Sequence, residues 1–220
     1  VEATGRGGVI ALREYCRAHG IKTKGLRIAL QGIGNVGFFF AQIAERELGV
    51  QVIAVANSRK MILDEAGLSL DGLEFSRDVI DQLGDQSGES SDIISIDCDV
   101  LVLAALGEVI NDDNQSEVKA SLILELANGP VDDEALIALE SRDVRVIPDV
   151  IANAGGVIVS YLEWQQNKAG QHWSEARVNA ELDSLLTDAM TQAMAKSRSE
   201  HCSLKEASFL LALERLDERR

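Results

Sequence analysis

Three glycines stand close together in the stretch Gly32-Ile33-Gly34-Asn35-Val36-Gly37. This GxGxxG spacing suits a loop that cradles the pyrophosphate of a dinucleotide. The first glycine makes a tight turn, the second lets phosphate approach the backbone, and the third lets a helix pack closely on the preceding strand. A helix starting there offers unpaired N–H groups and the positive end of its dipole to the phosphates. Glycine triplets are common, so a plain strand-to-helix turn competes with this reading, and the flanking segments must decide.

Two other places carry matching chemistry. Asn128 in "ELANGP" and Asn153, Gly155, Gly156 and Ser160 in "PDVIANAGGVIVSYLEWQQN" stand at element ends. A side-chain amide donates and accepts at once, as recognition of a nicotinamide carboxamide requires; turn and cap roles for both asparagines stay open. The third place is Asn57-Ser58-Arg59-Lys60. An acid there would bind the ribose 2′-hydroxyl of NAD and repel the 2′-phosphate of NADP. The acid is absent and two cations follow, so the expectation is NAD or NADP with a slight lean to NADP; an ordinary solvated loop pair is the alternative.

The elements that must hold these residues are readable. Residues 4–19 have helical spacing, ended by Gly20. "LRIALQ" (26–31) reads as a buried strand, 35–48 as a helix and "QVIAVAN" (51–57) as a strand, a unit of parallel-crossover length. Further on, a helix is expected near 71–83, a polar loop at 87–92, strands at 100–106, 122–127 and 144–148, and a helix at 132–141 with Asp132 as N-cap. After Pro148 only helices are expected, at 150–167, 174–199 and 203–217. The alternation predicts an α/β fold: a doubly wound, Rossmann-like parallel sheet over about 21–148, with the C-terminal helices packed on it. One dinucleotide-binding domain would span 1–220.

Composition narrows the function. The chain has 220 residues, a net charge of −15 and 4% aromatic residues. Such a surface repels polyanions, so nucleic acid is not an expected partner. No leader and no run of 18 apolar residues suggests a membrane span. Cys16, Cys98 and Cys202 are scattered without ligand spacing, which reads as core thiols in a reducing, cytoplasmic compartment and no metal site. His19, His172 and His201 read as surface or locally bonded residues. The start at Val1 hints at a fragment.

Taken together, "ATGRGG" (3–8), "QGIGNVG", "CDVLVLAAL", "ELANGP" and "IPDVIANAGGVIVSYLEWQQN" resemble the NAD(P)-binding domain of glutamate dehydrogenases, within the amino-acid dehydrogenase superfamily. The resemblance covers essentially the whole chain, and its last block is the most specific. It implies that Gly32, Gly34, Asn35 and Val36 line the pyrophosphate and that Asn57 and Ser58 sit by the adenine ribose. It sets Ala104, Asn128 and Asn153 on the nicotinamide side with Thr4 and Arg6 nearby, and Val157 and Ser160 against the amino-acid substrate. In that family another domain supplies the catalytic lysines and acid, so no catalytic residue is assigned here. The implied reaction is the oxidative deamination of L-glutamate to 2-oxoglutarate and ammonia by a homo-hexamer, whereas this chain alone would bind cofactor as a monomer or weak dimer. Another amino-acid dehydrogenase, or a non-catalytic nucleotide-binding module, is the alternative. Several residues depart from the family pattern: Asn57 for Asp, Leu126 for Gly, Leu103 for Pro, and Phe38 and Phe39 for smaller residues. Leu103 and Leu126 are expected to add bulk near the cofactor; Phe38 and Phe39 either pack in the core or meet another domain or subunit.

Overall fold

In the computed structural model, residues 2–105 and 107–217 are described. Helix α1 (Ala3–His19) precedes β1 (Arg27–Gln31), α2 (Asn35–Leu48), β2 (Gln51–Ala56) and β3 (Met61–Leu68). Then come β4 (Val100–Leu103), β5 (Leu122–Glu125), α3 (Asp133–Ser141), β6 (Arg145–Ile147) and the helices α4 (Asp149–Ala152), α5 (Gly155–Ala169), α6 (Glu175–Glu200) and α7 (Leu204–Asp217). The strands form one sheet of order β3-β2-β1-β4-β5-β6. All neighbours are parallel except β2 and β3. The expected doubly wound sheet is therefore present, and its winding reverses between β1 and β4, where a ligand crevice opens in such sheets.

Strand pleating divides the core in two. Ile28, Leu30, Val100, Val102, Leu122 and Leu124 face a layer of α1, α2 and the C-terminal helices. Ala29, Ile53, Leu101, Leu103 and Ile123 face the opposite layer, with Ala135 and Leu139 of α3. With both faces covered, the strands read as continuous apolar runs.

Several expectations need correction. The acidic stretch 71–83 is irregular apart from a 3-10 turn at Val79–Gln82. β3, unforeseen, runs antiparallel on the edge, its middle residues Glu65 and Ala66 open to solvent. Its alternation is weak because only its ends pack inward, which hid it from pattern reading. The helix expected over 150–167 is interrupted at Asn153–Ala154, leaving α4 and α5. Asp132 does hold the N-cap position of α3, but its side chain makes no capping hydrogen bond. The strands expected at 100–106 and 122–127 end at Leu103 and Glu125, because the chain turns there into the site loops. Leu106 lies outside the described residues.

The phenylalanines after the glycine loop are core residues. Phe38 and Phe40 are fully buried, and Phe38 and Phe39 meet edge to face at 5.4 Å. Phe75, from the irregular 69–78 segment, closes over both at 5.6 and 6.1 Å. This aromatic triad anchors a segment that lacks regular structure of its own.

The cysteines also sit largely as expected. Burial pushes the Cys16 thiol up to about 11 and Cys98 up to about 12, which keeps both protonated and unreactive. Cys202 differs in being only half-buried. His19 stacks on Tyr15 and its Nδ1 bonds the Tyr15 carbonyl at 2.8 Å.

Candidate functional site

The three glycines do different jobs. Gly32 has φ +96°, accepted freely only by glycine, and its N–H donates to the Ala56 carbonyl at 2.8 Å. A Cβ there would lie 2.6 Å from Ala105 Cβ. At Gly37 a Cβ would lie 1.9 Å from the Gly32 carbonyl oxygen, so α2 rests directly on the turn. At Gly34, the N-cap of α2, nothing lies within 4 Å of an added Cβ, and no side chain caps the helix. The first turn of α2 thus begins in clear space beside Gly34, at the β1/β4 reversal. A tight glycine turn leading into a helix N-terminus suits a phosphate group, so the residues present fit a dinucleotide. Asn35 is exposed and Val36 half-buried at this rim. Ala104 closes it from the β4 side, its N–H donating to the Gln31 carbonyl at 2.7 Å.

Asn57 and Ser58 follow β2, and Ser58 is exposed. Asn57 is already occupied: its Oδ1 accepts from the N–H groups of Arg59 and Lys60 at 2.8 and 3.0 Å, an Asx turn. Both cations are paired as well. Arg59 reaches Asp78 at 2.9 Å, and Lys60 reaches Asp81 at 2.8 Å. Lys60 in turn holds the Asp81 carboxyl below its ordinary value.

The two asparagines, 25 residues apart in sequence, meet: Asn153 Nδ2 donates to Asn128 Oδ1 at 2.7 Å. Neither amide is used up by this one bond, since each has further donor or acceptor capacity. Their loops are tied together beneath them. The Gly129 N–H donates to Asp149 Oδ2 at 2.8 Å, and the Asp149 N–H donates to Glu125 Oε2 at 2.9 Å. Glu125 is only 3% exposed. Burial pushes its carboxyl up to about 7; the Asp149 N–H draws it down, the Asp149 carboxylate raises it and Lys205 lowers it. Sequence reading passed over Glu125 as the last residue of a strand. An acid closing the apolar run Leu122–Leu124 was the available signal.

Gly155 and Gly156 are steric necessities. A Cβ at Gly155 would lie 2.1 Å from the Ala3 carbonyl, and one at Gly156 would lie 2.7 Å from Thr4 Oγ1. Thr4 thus stands beside the start of α5. The glycines of "ATGRGG" serve the same close crossings: a Cβ on Gly5 would meet the Phe40 N, and one on Gly7 the Gly155 backbone. Val157 and Ser160 lie one turn apart on the exposed face of α5, followed by the half-exposed Tyr161 and Trp164.

Arg6 is already paired. Its guanidinium meets Glu2 at 2.7 Å and Glu47 at 3.0 Å. Glu47 lies about three turns along α2 from the glycine loop, so the Arg6 charge is engaged away from the phosphate loop. Leu126 and Leu103 also part from expectation. Leu126 is buried against Gly8, where a Cβ would lie 2.5 Å from its Cδ2, and Leu103 is buried in the opposite core layer. Their bulk enters the core rather than the crevice.

The sequence model of the glutamate/leucine/phenylalanine/valine dehydrogenases matches residues 1–220. The chain belongs to this dehydrogenase family. An NAD-specific glutamate dehydrogenase of Staphylococcus aureus is 33% identical over 219 residues, 98% of this chain and 53% of that protein. A hetero-hexameric glutamate dehydrogenase from Thermus thermophilus, in a leucine-bound form, superposes with a TM-score of 0.92 at 29% identity, covering 99% of this chain and 52% of that one. The Peptoniphilus asaccharolyticus glutamate dehydrogenase superposes with a TM-score of 0.82 at 31% identity, over 98% of this chain and 51% of the other. This dehydrogenase-family chain therefore spans about half the length of the relatives it matches. Among its described residues, no helix is long and apolar enough to cross a membrane.

Proposed function

We propose that the chain is the dinucleotide-binding half of a glutamate dehydrogenase. The glycine turn carries this reading: Gly37 seats α2 on the Gly32 carbonyl, and the space beside Gly34 is clear. Gly34, Asn35 and Val36 line the pyrophosphate at the start of α2, and Gly32, whose N–H is held by the Ala56 carbonyl, makes the turn that lets it approach. Ala104, Asn128 and Asn153 line the nicotinamide end, and Val157 and Ser160 face the amino acid, with the Ser160 hydroxyl available to its far carboxylate. A nicotinamide dinucleotide held by these residues would supply the hydride chemistry for oxidative deamination of L-glutamate to 2-oxoglutarate and ammonia, while the residues themselves orient it against the amino acid.

The amine chemistry needs a general acid and base within hydrogen-bond reach of the substrate. Amides, a hydroxyl and backbone groups line this site, so those groups come from the part of the relatives that this chain does not match. By itself the chain binds cofactor without turning over glutamate. It is a cytoplasmic monomer or weak dimer when alone and part of a hexamer when joined to that remainder.

For the cofactor, the pairing of Arg59 and Lys60 with Asp78 and Asp81 moves the balance from NADP towards NAD, because two acids now stand where a 2′-phosphate would bring two charges. The test is a titration of the chain with NADH and NADPH. Micromolar NADH binding at least as tight as NADPH binding supports the proposal. Absence of binding to either overturns the functional reading, and clear NADPH preference overturns the choice of NAD. Glutamate-dependent NADH formation by the chain alone would overturn the division of labour.

Another amino-acid dehydrogenase of this family is the second reading, since the family model spans several substrates. Activity of the complete enzyme on glutamate against leucine separates the two.

A further inference from the structure

Glu125 has no role in the site as derived so far, yet it is the one buried carboxyl beside it. It ends β5 opposite Leu103 of β4, at the same sheet edge as the glycine loop. Its Oε2 reaches across to α4, beyond the end of neighbouring β6, and accepts the Asp149 N–H at 2.9 Å. Asp149 then accepts the Gly129 N–H through its own carboxylate at 2.8 Å. This chain of two bonds joins the loop carrying Asn128 to the segment carrying Asn153, whose side chains meet at 2.7 Å.

We propose that Glu125 is the positioning residue of this amide pair: as a carboxylate it clamps Asp149, and through Asp149 it holds Asn128 and Asn153 in register for the nicotinamide end of the cofactor. The inference rests on the functional reading above. A bond from N–H to a carboxylate is roughly twice as strong as one to a neutral acceptor. Protonation of Glu125 therefore loosens the clamp without dismantling the fold. The charged groups facing it are the Asp149 carboxylate on α4, Lys205 on α7 and Asp133 on α3. Lys205 bonds Asp133 at 2.7 Å and favours the ionised form of Glu125, while both aspartates oppose it. Because burial sets this carboxyl near 7, the clamp tightens across the neutral range.

The experiment compares two ligands on the chain, NADH and ADP-ribose, from pH 6 to 8. ADP-ribose lacks the nicotinamide and so senses the glycine loop alone. The ratio of NADH to ADP-ribose affinity should rise roughly fivefold from pH 6 to 8, the change expected when one hydrogen bond becomes charge-assisted. Its midpoint should lie near 7. In Glu125→Gln the ratio should be flat and close to the wild-type value at pH 6. Lys205→Met, remote from the ligand, should move the midpoint upward, and this variant carries the test if Glu125→Gln fails to fold. A flat wild-type ratio, or a pH dependence kept by Glu125→Gln or left in place by Lys205→Met, overturns the proposal. Loss of ADP-ribose binding itself would overturn the functional reading as well, which distinguishes the two failures.

Discussion

At the β1–α2 turn, Gly32, Gly34 and Gly37 contribute no side chains; α2 rests on the Gly32 carbonyl and the space beside Gly34 stays clear. Across the same end of the sheet, Asn128 and Asn153 work through side chains that must be carried to each other from different segments and kept there by Asp149 and Glu125. The first half is local and steric, so a single added methyl breaks it. The second is distributed and polar, so it weakens by degrees and responds to pH. Under the proposed function, this division would give a cofactor a rigid anchor for its phosphates and an adjustable seat for its reacting ring.

The sharpest way to break the comparison is Gly37→Ala. Its Cβ would lie 1.9 Å from a backbone oxygen that cannot move without moving β1. Urea unfolding should show a loss of about 4 kcal/mol or more, in the range of severe core disruptions, with NADH binding abolished. A mild effect would mean the turn is not rigid.

Glu125 is next. Its folded value of about 7 lies above the ordinary 4.5, so the folded state holds the proton more tightly than the unfolded one. The stability this gives is fully present below about 4.5 and is lost as pH rises to about 7. Relative to wild type, Glu125→Gln should gain on the order of 3 kcal/mol between pH 4.5 and 8 in urea unfolding. An unchanging difference would place Glu125 in a wetter setting than its burial implies. The ionised form that aligns the amides is thus the form the fold tolerates least.

Gly34→Ala should separate binding from folding. With no atom within 4 Å and φ −71°, stability should hold within about 0.5 kcal/mol, while NADH affinity falls roughly tenfold as the methyl meets the phosphates. Equal losses in stability and binding would collapse the distinction between Gly34 and Gly37. On the other side of the crevice, a double-mutant cycle of Asn128→Ala and Asn153→Ala should give a coupling of about 1 kcal/mol in NADH binding and none in ADP-ribose binding. Coupling of equal size for both ligands would deny the pair a nicotinamide role. The smallest effect belongs to Arg59→Gln: its cation is exposed and already paired with Asp78, so NADH affinity should change by at most about fivefold. A much larger gain or loss would return the cations to the cofactor.

Legibility followed the same divide. The glycine loop could be recognised from six residues because each glycine's job concerns its nearest chain neighbours and the elements on either side. Asn128 and Asn153 could be named as separate candidates, yet their contact and the clamp beneath them could not, since no spacing rule relates residues 25 apart across two strands. The pairing of Arg6 could not be read, because Glu47 comes from a different helix, 41 residues on. Leu126 was misjudged because its space is made by Gly8, more than a hundred residues earlier. The acidic 71–83 stretch has helix-forming residues, but Phe75 on Phe38 and Phe39 and the buried Val79 and Ile80 hold it as isolated turns.

The sequence by itself determined most of the element order outside 58–99, the parallel sheet and the place of the glycine loop, because apolar periodicity and glycine sterics act over a few residues. Tertiary structure decided which polar groups share the crevice, which cations remain to meet a phosphate, and that a strand-ending glutamate becomes a buried acid near neutrality. Those depend on desolvation and on partners brought together only by the sheet, and neither is written in any local run of residues.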